Sequence, residues 1–183
     1  ESPYKERIAW NKLHIFWGDE RAVPFSDDRN NAKMTFDHLL NKVPVNPEQV
    51  HVMRTDIEPE QSALEYQKML HTYFGTEGNS FDLVLSGMGD DGHTLSLFPG
   101  TEVIHETKDW VKAFYLTAQQ MYRITLTAPV VNRASSVVFL TFGANKAKAL
   151  YEVLEGEPNA DIYPSQIIQP ASGKLHWFVD EPA

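Results

Sequence analysis

The stretch Phe81–Gly100, FDLVLSGMGDDGHTLSLFPG, constrains this chain more than any other. Leu83-Val84-Leu85, following Phe81, is an apolar run that predicts a strand buried on both faces. Gly87-Met88-Gly89-Asp90-Asp91-Gly92 follows, and its glycines predict a backbone that other residues could not trace. His93 comes next, and Thr94 to Phe98 leave room for only a short helical turn before Pro99-Gly100. Open α/β sheets bind their ligands where a strand ends in such a loop.

The rest of the chain alternates strand and helix signals. Leu13–Trp17 reads as a strand, and the charged Gly18-Asp19-Glu20-Arg21 marks the loop at its end. Ser26-Asp27-Asp28 is suited to cap a helix with Ala32, Phe36, Leu39, Leu40 and Val43 on one stripe. Val50–Met53 reads as a short strand, and Pro59 opens a second helix faced by Tyr66, Met69, Leu70 and Tyr73. Val111–Leu116 and the alternating Tyr122–Thr127 are strands, as are Val137–Leu140 and Leu175–Asp180. A helix spans about Ala144 to Glu155, stopped by Gly156. The pattern predicts one domain over residues 1–183, a mostly parallel, layered α/β sheet with helices on both faces.

Composition narrows the function. A formal net charge of -9 argues against a nucleic-acid or anionic-membrane surface, so an anionic ligand needs a few local cations. The chain has no cysteine, which removes disulfides and thiolate chemistry and fits a cytoplasmic setting. No stretch approaches the ~18–20 apolar residues of a membrane span.

Gly87-x-Gly89-x-x-Gly92 matches the dinucleotide fingerprint in form only. Asp90 and Asp91 sit where a pyrophosphate would lie and would repel it, and Pro99 stops the following helix too soon. For His93 three readings stand: a donor to a carbonyl, a general base oriented by Asp90 or Asp91, or a metal ligand. The metal reading lacks a second closely spaced histidine, since His105 lies on a loop. Asp19 and Arg21 bring an acid and a cation to a strand end, and Arg123 opens an alternating strand. Lys146, in a helix's first turn, opposes the helix dipole, which favours a phosphate there.

These residues carry a resemblance. Phe16–Arg21, Gly87–Thr94 with Ser96–Gly100, Arg123–Thr127, Gly143 with Lys146-Ala147, and Trp177–Asp180 together resemble the glucosamine-6-phosphate isomerase/6-phosphogluconolactonase superfamily, on the lactonase side. The resemblance implies a ribose-phosphate-isomerase-like α/β fold and hydrolysis of 6-phospho-D-glucono-1,5-lactone, with no cofactor and no metal. It implies His93 and Asp19 as catalytic residues. Arg21, Asp91, Arg123, Lys146, Gly87 and Gly89 would contact the substrate, with Arg123 and Lys146 on its phosphate. The family's N-terminal strand and Ser-Gly-Gly-Ser-Thr-Pro-type loop have no counterpart here, so a truncated βα unit, an exposed apolar surface and weak activity of this segment alone are expected. Two alternatives are an aminosugar-phosphate deaminase and a silent sugar-phosphate sensor.

Overall fold

The computed structural model describes residues 3–75, 78–171 and 173–183. Among these the order is α1 (Tyr4–Arg7), β1 (Ile15–Phe16), β2 (Asp19–Arg21), α2 (Asn31–His38), β3 (Val50–His51), α3 (Pro59–Phe74), β4 (Val84–Gly87), β5 (Val111–Leu116), β6 (Met121–Leu126), α4 (Ala128–Val131), β7 (Ser136–Thr141), α5 (Ala147–Leu154) and β8 (Lys174–Val179). The strands form two parallel ladders, β1–β3 and β4–β7–β8, and one antiparallel ladder, β2–β6–β5. The α/β class is therefore as expected, but the antiparallel unit is an addition. Its cause is local: β5 and β6 are joined by the turn Thr117–Gln119 and a left-handed Gln120 at φ +52°. A parallel crossover needs a dozen or more residues.

The charged cluster after Trp17 is a strand and not the loop that its composition suggests. Asp19, Glu20 and Arg21 lie opposite Thr125, Ile124 and Arg123 in the β2–β6 ladder. Glu20 is fully buried there, with its carboxylate accepting from the backbone N–H groups of Arg21 (2.8 Å), Asn31 (2.7 Å) and Ala32 (2.8 Å). Burial raises its pKa, and these three bonds oppose that rise. The carboxylate thus holds the N-terminus of α2, where negative charge is favoured. The side-chain cap of α2 is Asn30, accepting from the Lys33 N–H at 2.8 Å, and not Ser26-Asp27-Asp28. Asp27 is engaged instead by the Arg29 guanidinium.

One face of β4–β7–β8 contributes Val84, Val137 and Phe139 to the core. The other carries Leu83, Leu85, Leu140 and Phe178, which are 52%, 64%, 42% and 57% exposed. Among the described residues, strand β4 is therefore buried on one face only, a correction to the reading of its apolar run, and nothing in them covers the second face of this sheet.

Helix α3 packs through Ala63, Tyr66 and Leu70, while Tyr73 sits at the rim of its stripe. The Tyr66 hydroxyl ties the helix to the strand leading into β2. It accepts from the Trp17 N–H at 2.7 Å and lies 3.2 Å from the Trp17 carbonyl and 3.0 Å from that of His51. Tyr66→Phe strands a buried backbone N–H and is expected to cost about 1–3 kcal/mol. Urea unfolding measures this, and a loss below about 0.5 kcal/mol, the size of an indifferent substitution, would contradict it.

Candidate functional site

Strand β4 ends at Gly87, paired in parallel with Leu140 of β7, so the segments after the two strands leave the sheet at the same edge. The first runs from Met88 to His93 and closes on itself: the Gly89 N–H donates to the His93 carbonyl (2.8 Å), and the Gly92 N–H to the Gly89 carbonyl (3.1 Å). A Cβ at Gly89 would lie 2.1 Å from His93 Nδ1 and 2.5 Å from Asp91 Oδ1. Gly92 has φ +78°, and a Cβ there would meet Tyr163 at 2.8 Å. Gly87 differs: its nearest neighbour is 3.9 Å away and its φ is ordinary, so the backbone does not require glycine there.

Of the two acids in the loop, Asp91 is the one that orients the histidine. Its Oδ1 lies 2.6 Å from His93 Nδ1 and accepts from the His93 backbone N–H at 3.0 Å. Burial works to raise the Asp91 pKa, but the His93 backbone and imidazole outweigh it and hold the carboxyl below its ordinary value. The ring stacks on Phe98, with centroids 4.2 Å apart. With Nδ1 donating to a carboxylate, Nε2 is the nitrogen left to accept a proton. The side chain is 28% exposed, so solvent and small molecules reach it. His105, the other histidine weighed as a ligand, pairs with Asp161 at 3.0 Å.

After His93 the chain forms a tight turn, with the Leu97 N–H donating to the Thr94 carbonyl at 2.9 Å. It is not the expected helical turn, because Leu95 adopts a left-handed φ of +53°. For a side chain of this size that backbone costs about 1–2 kcal/mol. Ser96, fully buried, holds the turn against the antiparallel sheet. Its hydroxyl donates to Asp19 Oδ2 (2.6 Å) and accepts from Arg123 Nε (2.8 Å), and its N–H donates to Thr125 Oγ1 (3.1 Å). Arg123 also reaches Asp19 Oδ2 at 2.7 Å through its second terminal nitrogen.

This geometry corrects the sequence assignment of Arg123. Its side chain is 4% exposed and committed to Asp19, Ser96 and Gln119, so it is not an open phosphate contact. Asp19, expected beside the reacting centre, spends its Oδ2 on the same pair. Arg21 lies directly opposite Arg123 in the ladder, an arrangement that repels unless a negative charge intervenes. Burial lowers the Arg123 pKa, Asp19 opposes that, and Arg21 adds to it. The Arg21 guanidinium donates to the Arg29 carbonyl at 2.9 Å and, among the described residues, forms no ion pair. Lys146 ends the turn Ala144–Lys146 at the start of α5, on the edge from which the His93 loop emerges. It too forms no ion pair among the described residues, and no bond joins it to His93 or Arg21. Sequence reasoning missed Ser96, Thr125 and Phe98. The alternation of β6 held the signal, since it puts Arg123 and Thr125 on one face, but both faces of β6 are buried.

Comparison with known proteins shows the family. The family described as glucosamine-6-phosphate isomerases/6-phosphogluconolactonase matches residues 1–177. A 6-phosphogluconolactonase of Synechocystis sp. is 39% identical over 187 residues, covering 100% of this chain and 77% of that protein. A probable chloroplastic 6-phosphogluconolactonase of rice is 36% identical, and the chain spans 59% of its length. The crystal structure of 6-phosphogluconolactonase from Thermotoga maritima superposes with a TM-score of 0.82 at 28% identity, covering 94% of this chain and 74% of that one.

The loop geometry makes opposite forecasts for two neighbouring glycines. Gly89→Ala is expected to drive the imidazole off Asp91, visible as a changed His93 ring resonance in NMR. Gly87→Ala leaves that resonance in place and alters stability by no more than about 0.5 kcal/mol. Equal behaviour of the two variants would contradict the packing described.

Proposed function

Since the chain belongs to the glucosamine-6-phosphate isomerase/6-phosphogluconolactonase family, we propose that its site hydrolyses 6-phospho-D-glucono-1,5-lactone to 6-phospho-D-gluconate, a step of the oxidative pentose phosphate pathway. The observation that carries this reading is the imidazole of His93, fixed through Nδ1 by Asp91 at 2.6 Å and partly open to solvent. Nε2 takes a proton from water as the water oxygen attacks the lactone carbonyl. The tetrahedral oxyanion collapses, the bond from the carbonyl carbon to the ring oxygen breaks, and the imidazolium returns its proton to that oxygen. Asp91 stabilises the imidazolium while it lasts. A lactone is an activated ester, so one base, positioning and charge stabilisation suffice.

The 6-phosphate falls to Arg21 and Lys146, neither of which forms an ion pair among the described residues. The loop of Gly87 and Gly89 forms the floor beside the sugar. Binding energy from the phosphate, remote from the reacting carbon, aligns the carbonyl with the base. Among the described residues no helix is long and apolar enough to cross a membrane. The proposed setting is the cytoplasm.

His93→Ala is expected to lower kcat by about 10²–10⁴-fold in a lactonase assay corrected for spontaneous hydrolysis, with the fold retained. Wild-type turnover by that variant would remove the base assignment. Arg21→Ala and Lys146→Ala should chiefly raise KM for the phosphorylated lactone and leave turnover of an unphosphorylated lactone unchanged. Equal effects on both lactones would contradict the phosphate role. Ammonia release from glucosamine 6-phosphate would favour a deaminase instead, and product binding without turnover a sensor.

A further inference from the structure

Ser96 and Arg123 lie too deep to meet a sugar directly, and together with Asp19, whose side chain is 19% exposed, they touch the segment that carries the imidazole. Ser96 is joined to Asp19, Arg123 and Thr125 by three hydrogen bonds of 2.6, 2.8 and 3.1 Å. Those bonds reach across from the His93 loop to strands β2 and β6. Next to Ser96 is Leu95, held at a φ of +53° that leucine disfavours. Strained backbone of this kind persists only where its surroundings over-determine it. On the other side of Ser96, Phe98 stacks on the His93 ring at 4.2 Å and lies 5.6 Å from the Arg123 guanidinium carbon. The buried group therefore meets the imidazole along two routes: through the backbone of the turn and through the Phe98 ring.

We propose that Ser96, clamped by Asp19 and Arg123, is a positioning residue that holds the Thr94–Leu97 turn in its strained form and so fixes His93 on Asp91. This rests on the reading of His93 as the base of lactone hydrolysis. The clamp is separate from substrate binding, since Arg21 and Lys146 carry the phosphate. Loss of the clamp therefore lowers kcat and spares KM. A misplacement of about 1 Å can cost as much as 10²-fold in rate.

The test uses Ser96→Ala and Arg123→Lys in the full chain, the second keeping a positive charge beside Asp19. Both should lower kcat by about 10-fold or more, within the range a small misplacement produces, while KM for the phosphorylated lactone stays within about twofold, the split that separates positioning from uniform binding. In a His93→Ala background, Ser96→Ala should have no further effect on kcat, which a general structural defect would not produce. A crystal structure of Ser96→Ala should show Leu95 relaxed out of the left-handed region and the His93 ring turned away from Asp91. Unchanged kcat in both variants, a loss carried by KM, or an undisturbed turn in the crystal would overturn the proposal. If the wild-type chain hydrolyses no lactone, the functional reading fails, and the crystal structure alone decides the clamp.

Discussion

The pairing of Asp19 with Arg123 is the interaction on which the site depends. Withdrawing a carboxylate and a guanidinium from water costs several kcal/mol per ion, and their attraction offsets this only when further hydrogen bonds complete both groups. Here the completion comes from Ser96, whose hydroxyl donates to the acid and accepts from the base. The pair joins residues 104 positions apart in sequence, and Ser96 stands between them in the chain. Three segments, β2, the turn after His93 and β6, are thereby fixed to one another by a single charged group.

From that fixed point the electrostatics of the edge follow. Neutralising Arg123 leaves Arg21 as the cation facing it across the ladder, and Arg21 is itself steadied by the Arg29 carbonyl. Arg29 lies just before α2, whose N-terminus is held by buried Glu20. The three residues of β2 thus act separately. Asp19 anchors the turn, Glu20 anchors the helix, and Arg21 forms no ion pair among the described residues. On the proposed reading, this is how a chain of net charge -9 presents local positive charge to a phosphorylated sugar.

Much of this was legible in the sequence, and the failures have identifiable causes. The glycine loop, His93 and the strand before it were readable because glycine, proline and apolar runs act locally. Asp91 as the orienting acid was visible only as one of two, since sequence does not fix which side chain of Asp90-Asp91 turns toward the ring. Asp19–Arg21 read as a loop because three charges in a row carry no strand propensity. Its pairing with β6 is a tertiary fact, and it made a buried carboxylate of Glu20 and a buried cation of Arg123. Leu95 in a left-handed turn was invisible, because only glycine or asparagine would have announced it. The exposure of Leu83 and Leu85 was hidden for a related reason: an apolar run shows that a strand is apolar on both faces but not that both are covered.

The central claim is that an imidazole fixed by Asp91 faces a crevice whose cations hold a phosphorylated sugar acid. A crystal structure with bound 6-phospho-D-gluconate tests it most directly. The phosphate should lie on Arg21 and Lys146, and the carboxylate carbon should sit within reach of His93 Nε2 through one water. A phosphate bound elsewhere, or a carboxylate far from Nε2 while His93 still rests on Asp91, would contradict it.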